Sequence, residues 1–182
     1  DVYPARLDPK LGISPRALMK RVYESAVSYA RTFSTASESL LFMGATGLGK
    51  TLLSGCIARA VADRGYSVCY VSAGKLFSDF ETEKFRLKED GALTGEYLQT
   101  DLLIIDDLGT EMTTQFTVSA LYQIVNGRLL SGKPTIVSTN LPDTELEARY
   151  SAQIASRLLG AYTLYQFCGT DVRLLRKMES RG

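Results

Sequence analysis

A glycine-rich segment and its two neighbours constrain the fold of this chain more than any other feature. Residues 44–51 read GATGLGKT and fill every fixed position of the pattern G-x-x-x-x-G-K-[ST]. An apolar run, residues 40–43, precedes the segment, and a helix-like pattern follows over residues 52–64. A strand, a glycine-rich turn and a helix N-terminus build a phosphate site, because their backbone N–H groups surround an anion. A turn that matches by chance is the alternative, which the flanking patterns disfavour.

This segment predicts a bound nucleoside triphosphate, with ATP or ADP and Mg²⁺ as the expected cofactors. Lys50 supplies a cation for the β- and γ-phosphates, and the Thr51 hydroxyl is a ligand for Mg²⁺. The residues expected to contact the nucleotide here are Gly44, Ala45, Thr46, Gly47, Leu48, Gly49, Lys50, Thr51 and Leu52.

The composition fits one α/β domain and excludes several kinds of chemistry. The chain has 182 residues and a net charge of +1, so bulk charge predicts no non-specific binding to nucleic acid. It contains no histidine, which excludes histidine-based catalysis and most zinc chemistry. No apolar run approaches the roughly 18 residues that span a bilayer, and no signal peptide is visible. We therefore expect a cytoplasmic domain with no membrane partner.

The three cysteines point to the same compartment. Cys56, Cys69 and Cys168 are odd in number, widely spaced and set among apolar residues. The spacing suits neither a disulfide nor a zinc site, so it predicts core thiols in a reducing environment.

Apolar runs alternate with helical patterns along the chain. Residues 1–13 hold prolines and a glycine and predict a lead-in, and Ser14-Pro15 is a helix start at the beginning of a domain over residues 14–182. Helices are also expected around residues 76–80 and 116–129, and strands are expected at residues 40–43, 68–71, 102–105, 135–137 and 162–167. Continuous apolar strands alternating with helices indicate a parallel sheet covered on both faces.

Polar residues follow the third and fourth expected strands. Asp106 is the candidate carboxylate that supports Mg²⁺, and Asp107 is the candidate base for an attacking water. Asn140 is the candidate that orients this water or senses the γ-phosphate. The alternatives are solvated acids opening a turn before Gly109 and an asparagine favoured by the turn before Pro142. The preceding phosphate loop favours the catalytic interpretation of all three.

Five segments together resemble the AAA+ ATPases, and within them the DnaC/DnaI-type replicative helicase loaders and their IstB-like branch. The segments are GATGLGKT, LLIIDDLGTE, GKPTIVSTNL, IASRLLG and GTDVRLLRK, and the resemblance covers nearly the whole chain. The first two are shared by many ATPases, whereas STNL with SRLLG is more specific to this branch. The resemblance implies a P-loop NTPase fold: a three-layer α/β sandwich with a five-stranded parallel sheet in the order 5-1-4-3-2. The chain departs from the AAA+ pattern at its C-terminal end: few residues follow Arg173, so we expect the helical lid to be absent or vestigial, as is typical of the loader branch.

The resemblance assigns further roles to two arginines. Arg157 matches the arginine finger, which would reach the γ-phosphate of a neighbouring subunit in a head-to-tail assembly. Arg173 falls near a nucleotide-sensing arginine of the family. The alternatives are a solvated arginine on a short amphipathic helix and a solvated basic tail.

The function implied by the resemblance is ATP hydrolysis in a helicase loader that acts on single-stranded DNA and a ring helicase. The chain starts without methionine, so we expect that an N-terminal part of the natural protein is absent from it. The resemblance implies that this part binds the replicative helicase. The triple Lys84-Phe85-Arg86 is a candidate DNA contact, with an aromatic anchor of an amphipathic helix as the alternative. The competing functions are an IstB-like transposition helper and a nucleotide-dependent interaction module with negligible hydrolysis. A P-loop kinase is disfavoured by the paired acids.

Overall fold

The computed structural model describes Tyr3, Ala5 and residues 12–85 and 92–173. The strands in these residues are β1 (Leu40–Met43), β2 (Val68–Ser72), β3 (Leu102–Leu108), β4 (Thr135–Thr139) and β5 (Thr163–Gln166). The helices are α1 (Pro15–Thr32), α2 (Lys50–Ala62), α3 (Ala73–Phe85), α4 (Ala92–Gln99), α5 (Gln115–Leu130), α6 (Asp143–Tyr150) and α7 (Ala152–Ala161).

The strands form one parallel sheet in the order β2-β3-β4-β1-β5. This is the predicted order read from the opposite edge, so the predicted fold is confirmed. The central strand β1 lies between β4 and β5, with Met43 opposite Thr139 and Gln166. The carboxyl ends of all five strands therefore meet at one edge, where ligands of such sheets bind. The phosphate loop and Asn140 follow strands at this edge, and the acidic pair lies near the end of β3.

Two hydrophobic layers cover the sheet. In β1, Leu40 and Phe42 pack with α1 and α2, whereas Leu41 and Met43 pack with α3, α5 and α7. All four side chains are at most 5% exposed. Alternate burial on both faces explains why the strand sequences are apolar without interruption.

Local signals placed some element ends correctly and missed others. α1 begins at Pro15 with the predicted cap, in which the Ala17 N–H donates to Ser14 Oγ at 3.2 Å. β4 runs to Thr139, past the predicted end at residue 137, because its polar side chains have partners inside the sheet. Thr139 Oγ1 donates to the Leu108 carbonyl at 2.7 Å. A buried hydroxyl with a partner costs little, so polarity alone did not mark the end of the strand.

A fully buried arginine, absent from the sequence-based predictions, joins three elements. Arg128 lies on α5, and its guanidinium donates to the carbonyls of Tyr97 and Thr100 at 2.8 and 3.0 Å, at the end of α4. It also donates to Pro134 O at 2.6 Å and to Thr135 Oγ1 at 2.8 Å, at the start of β4. Burial lowers the pKa of Arg128 to about 10, which leaves it charged at neutral pH. Its charge offsets the carbonyl end of α4.

The prediction of three core thiols is wrong for Cys56. Cys56 is exposed on α2, and Cys69 and Cys168 are half-buried; none forms a disulfide. The helical position of Cys56 turns it away from the sheet, which its apolar neighbours did not reveal. In the described part of the chain, no helix has the length and apolar character needed to cross a membrane.

Candidate nucleotide site

The phosphate loop leads from β1 into α2 through three glycines with positive φ. Gly44, Gly47 and Gly49 have φ values of 149°, 78° and 92°. A Cβ on Gly44 would lie 2.4 Å from the Phe167 carbonyl oxygen, so glycine is also needed there for space. Gly49 precedes α2 and provides no side-chain cap. The first N–H groups of α2 are therefore directed toward the loop without a capping side chain, which suits an anion.

Lys50 lies inside this loop with its ammonium group bound to the loop backbone. The residue is 5% exposed, and Nζ donates to Gly44 O at 2.5 Å and Ala45 O at 2.9 Å. Burial lowers the pKa of Lys50, while the charges of Asp107 and Asp106 oppose this shift. The ammonium group thus lies in the field of both carboxylates.

The remaining loop residues have different environments. The Leu48 side chain is buried in the core between α1 and α2. Its carbonyl accepts a hydrogen bond from Tyr3 Oη at 2.6 Å, a contact that the sequence analysis did not foresee. Ala45, Thr46 and Thr51 are exposed, and Leu52 is 71% exposed on α2. The predicted nucleotide contacts of Leu48 and Leu52 stay predictions.

Asp106 is buried at the carboxyl end of β3, and both its carboxylate oxygens accept hydrogen bonds. Ser138 Oγ on β4 donates to Oδ1, and Tyr70 Oη on β2 donates to Oδ2 at 2.7 Å. Burial and the hydrogen bond to Asp106 raise the pKa of Tyr70, which keeps its hydroxyl a donor at neutral pH. Tyr70 and Ser138 were missed by the sequence analysis; only the polar end of β4 signalled Ser138.

Asp107 points away from the core beside this buried carboxylate. It has a positive φ of 56° and lies at a shift in the β3–β4 register between Ile105 and Leu108. Its N–H donates to Ser138 Oγ at 3.0 Å, and its side chain is exposed. The bulge turns two successive acids in different directions, as bulges beside active sites do. Successive side chains of a regular strand also point to opposite faces, but Asp107 would then have extended backbone angles instead of its positive φ.

Asn140 lies beside the start of the phosphate loop. It follows β4, whose last residue, Thr139, accepts a hydrogen bond from the Gly44 N–H at 3.3 Å. Asn140 is exposed and lines a groove of about 420 Å³ together with Gly44 and Ala45. The structure therefore places Asn140 at the loop, and its predicted role in orienting water or sensing the γ-phosphate stays a prediction.

The C-terminal end of the described chain packs on the loop. The Val172 N–H donates to Gly47 O at 3.0 Å, and a Cβ on Gly47 would lie 2.1 Å from Asp171 Cγ. The Arg173 guanidinium lies 3.6 Å from Asp171 Oδ1, and the charge of Arg173 lowers the pKa of Lys50. Arg173 is thus near the site. The predicted lack of a lid concerns residues 174–182, which lie outside the described residues.

Arg157 lies on the other side of the sheet from α2. Its Nε donates to Asn126 Oδ1 at 3.0 Å, and its guanidinium carbon lies 4.8 Å from the centroid of the Tyr122 ring on α5. A further bond runs from an Nη to Gln153 O at 3.1 Å. Arg157 is therefore a half-buried side chain fixed between α7 and α5, and its predicted action on a neighbouring subunit stays a prediction.

The predicted DNA contact lies only partly within the described residues. Lys84 Nζ lies 5.1 Å from the centroid of the Phe116 ring on α5. Both line an open groove of about 960 Å³ between α3, α4 and α5. Phe85 ends α3, and Arg86 lies outside the described residues. The interaction with single-stranded DNA stays a prediction.

The site fits a nucleotide with Mg²⁺. In the residues that the structure describes, no three His, Cys, Asp or Glu side chains are grouped so that they could hold a metal ion by themselves. Mg²⁺ needs few protein ligands, because it keeps several water molecules and binds substrate phosphates together with one or two protein oxygens. Thr51 and Asp106 would provide those oxygens, and the glycine cradle beside Lys50 would provide room and charge for the phosphates.

A parallel sheet in this order, with a glycine loop, a buried lysine and an acidic β3 end, defines a P-loop NTPase domain of the AAA+ type. The family model of the IstB-like ATP-binding proteins matches residues 18–164. The chain therefore belongs to the IstB-like ATP-binding protein family.

Its relatives come from two biological settings. An ATP-binding protein of an insertion sequence from Mycobacterium tuberculosis is 30% identical over 58% of this chain and 41% of its own length. The replicative helicase loader DnaC of Escherichia coli is 27% identical over 73% of this chain and 55% of its own length. This chain thus spans about half the length of these relatives. The crystal structure of the DnaC helicase loader has a TM-score of 0.76 at 20% identity, covering 83% of this chain and 90% of that chain.

Proposed function

We propose that this domain binds ATP with Mg²⁺ and hydrolyses it. Lys50 and the N–H groups at the start of α2 bind the β- and γ-phosphates, and Thr51 and Asp106 hold the metal. Bound Mg²⁺ would neutralise charge on the phosphate oxygens. Asp107 accepts the proton of the attacking water, and Asn140 orients that water.

One observation supports this proposal above the others. Lys50 is buried, yet the charges of Asp107 and Asp106 both oppose the lowering of its pKa. The lysine at the start of α2 and the two acids near the end of β3 therefore lie close enough for their charges to interact. The exposed acid, Asp107, is free to face water, while the buried acid, Asp106, is held by two hydroxyls. This division of roles supports hydrolysis.

The test of hydrolysis separates binding from turnover. Asp107→Asn keeps the size of the side chain but removes the base, so ATP should still bind while phosphate release slows. Asp63→Asn, at the exposed end of α2 away from the phosphate loop, is a matched control that should leave both quantities unchanged. If Asp107→Asn abolishes binding as well, Asp107 is a metal ligand or a structural residue.

For the biological role, we propose that the domain belongs to a DNA replication helicase loader that acts on single-stranded DNA and a ring helicase. The 27% identity to DnaC over 73% of this chain supports this role. The second candidate is an IstB-like transposition helper, supported by the family match and the insertion-sequence relative at 30% identity. Co-purification of the full-length protein with the replicative helicase is the expected result. Co-purification with a transposase instead would overturn the loader role.

We also propose that Arg157 and Arg173 serve the nucleotide from different subunits. Arg173 lies near Lys50 of its own chain and would sense the nucleotide there. Arg157 is held on the α5–α7 face and would meet the γ-phosphate of a neighbour in a head-to-tail assembly, an association that closes into a ring or extends as a spiral. Its contacts with Tyr122 and Asn126 would keep the guanidinium in a fixed position before assembly.

A further inference from the structure

A tyrosine hydroxyl lies between the two residues proposed to hold Mg²⁺. Tyr70 Oη donates to Asp106 Oδ2 at 2.7 Å and lies 3.5 Å from the backbone carbonyl oxygen of Thr51. The shorter contact is the principal hydrogen bond, because a hydroxyl has one proton to donate. The tyrosine therefore spans the gap between β3 and the start of α2 at the predicted metal position.

The sheet register explains why Tyr70 can reach Asp106. β2 pairs with β3 so that Tyr70 is opposite Ile104 and Ser72 is opposite Asp106. Ile104 and Asp106 are two residues apart, so their side chains leave the same face of the sheet. That face carries α2, as the packing of Ile104 with Ile57 in one core shows. Tyr70 leaves the sheet on this face too, and its long side chain extends toward the carboxyl edge.

The second oxygen of Asp106 is fixed from the opposite side. Ser138 Oγ donates to Oδ1 and accepts the Asp107 N–H at 3.0 Å. Two donors from β2 and β4 thus fix the plane of the carboxylate. An ionised carboxylate offers about four lone-pair positions, so two remain for water molecules of a metal ion.

We propose that Tyr70 is a positioning residue for the magnesium site, holding the Asp106 carboxylate toward Thr51. This inference rests on the proposed function, since it concerns the metal that accompanies ATP. Without the hydroxyl, Asp106 keeps its bond to Ser138 but loses the second contact that fixes the plane of its carboxylate. The metal then loses a prearranged partner, while the phosphate loop itself is unchanged.

The test compares nucleotide binding with and without Mg²⁺ in the variant Tyr70→Phe. ADP is titrated calorimetrically in Mg²⁺ and again in excess EDTA, so that hydrolysis does not contribute. We expect the affinity in Mg²⁺ to fall about tenfold, the lower end of the effect of losing a residue that orients a metal ligand, with an unchanged affinity in EDTA. Manganese binding to the ADP complex, followed by electron paramagnetic resonance, should weaken in parallel.

Tyr66→Phe is the matched control, because Tyr66 lies just before β2, at the end away from the site. Its ring packs on Phe33 at 5.0 Å between centroids, and phenylalanine keeps that contact. The control should bind as the wild type does in both media. Equal losses with and without Mg²⁺ in Tyr70→Phe, or no loss, would overturn the inference. A wild-type affinity that does not depend on Mg²⁺ would instead contradict the proposed function.

Discussion

Replacement of Lys50 by methionine removes the ammonium group from the proposed phosphate site and keeps an unbranched side chain. Lys50 Nζ now donates to Gly44 O at 2.5 Å and Ala45 O at 2.9 Å. Nucleotide binding would exchange these bonds for bonds to phosphate oxygens. The binding free energy that the variant loses is therefore the net effect of a hydrogen bond between charged groups. That effect is about 1.5–3 kcal/mol, which corresponds to a roughly 10- to 150-fold lower ATP affinity.

Calorimetric titration of ATP into the wild type and the variant measures this difference. Lys20→Met is the control, because Lys20 is an exposed lysine on α1 whose Nζ lies 3.8 Å from Glu24. Such surface ion pairs contribute little to the free energy of unfolding, and Lys20 is not part of the candidate nucleotide site. Thermal unfolding of each protein without nucleotide shows whether the variant is folded. If folded Lys50→Met binds ATP with the wild-type affinity, the loop does not bind phosphate through Lys50.

Three further changes test other parts of the structure. In Asp107→Asn, turnover measured by phosphate release should fall about 10²- to 10⁴-fold while calorimetric ATP affinity is retained, because the base is lost and the loop is intact. If the ATPase rate rises with protein concentration, Arg157→Ala should abolish this stimulation. Mixing Arg157→Ala subunits with Lys50→Ala subunits should then restore some activity, because intact loops can meet intact arginines. If the mixture shows no activity, Arg157 acts within its own chain or not at all. Arg128→Met should destabilise the domain by about 3–5 kcal/mol, since it leaves several buried carbonyls without partners, as measured by urea unfolding; an unchanged midpoint would refute this account of the buried guanidinium.

Much of the fold was predictable from local patterns and the family resemblance. Continuous apolar runs indicated a parallel sheet, and the predicted strand order is the one observed. The phosphate loop was also predictable, because its fixed residues lie within eight positions and its glycines have a local reason to be glycine. α4 was not predicted, since its eight residues carry no acidic residue in the first turn, no basic residue in the last and only a weak apolar pattern.

The arrangement of the acidic pair was decided by the tertiary structure. Sequence placed Asp106 and Asp107 after an apolar run, but Tyr70 and Ser138 reach Asp106 from positions 36 and 32 residues away. Only the register of three neighbouring strands brings these hydroxyls to one carboxylate. The burial of Arg157 against α5 and the exposure of Cys56 on α2 have the same origin. A short motif specifies the groups that bind a ligand, because its backbone geometry is local. The partners of a side chain depend on which elements pack together, and that packing is set by the whole hydrophobic core.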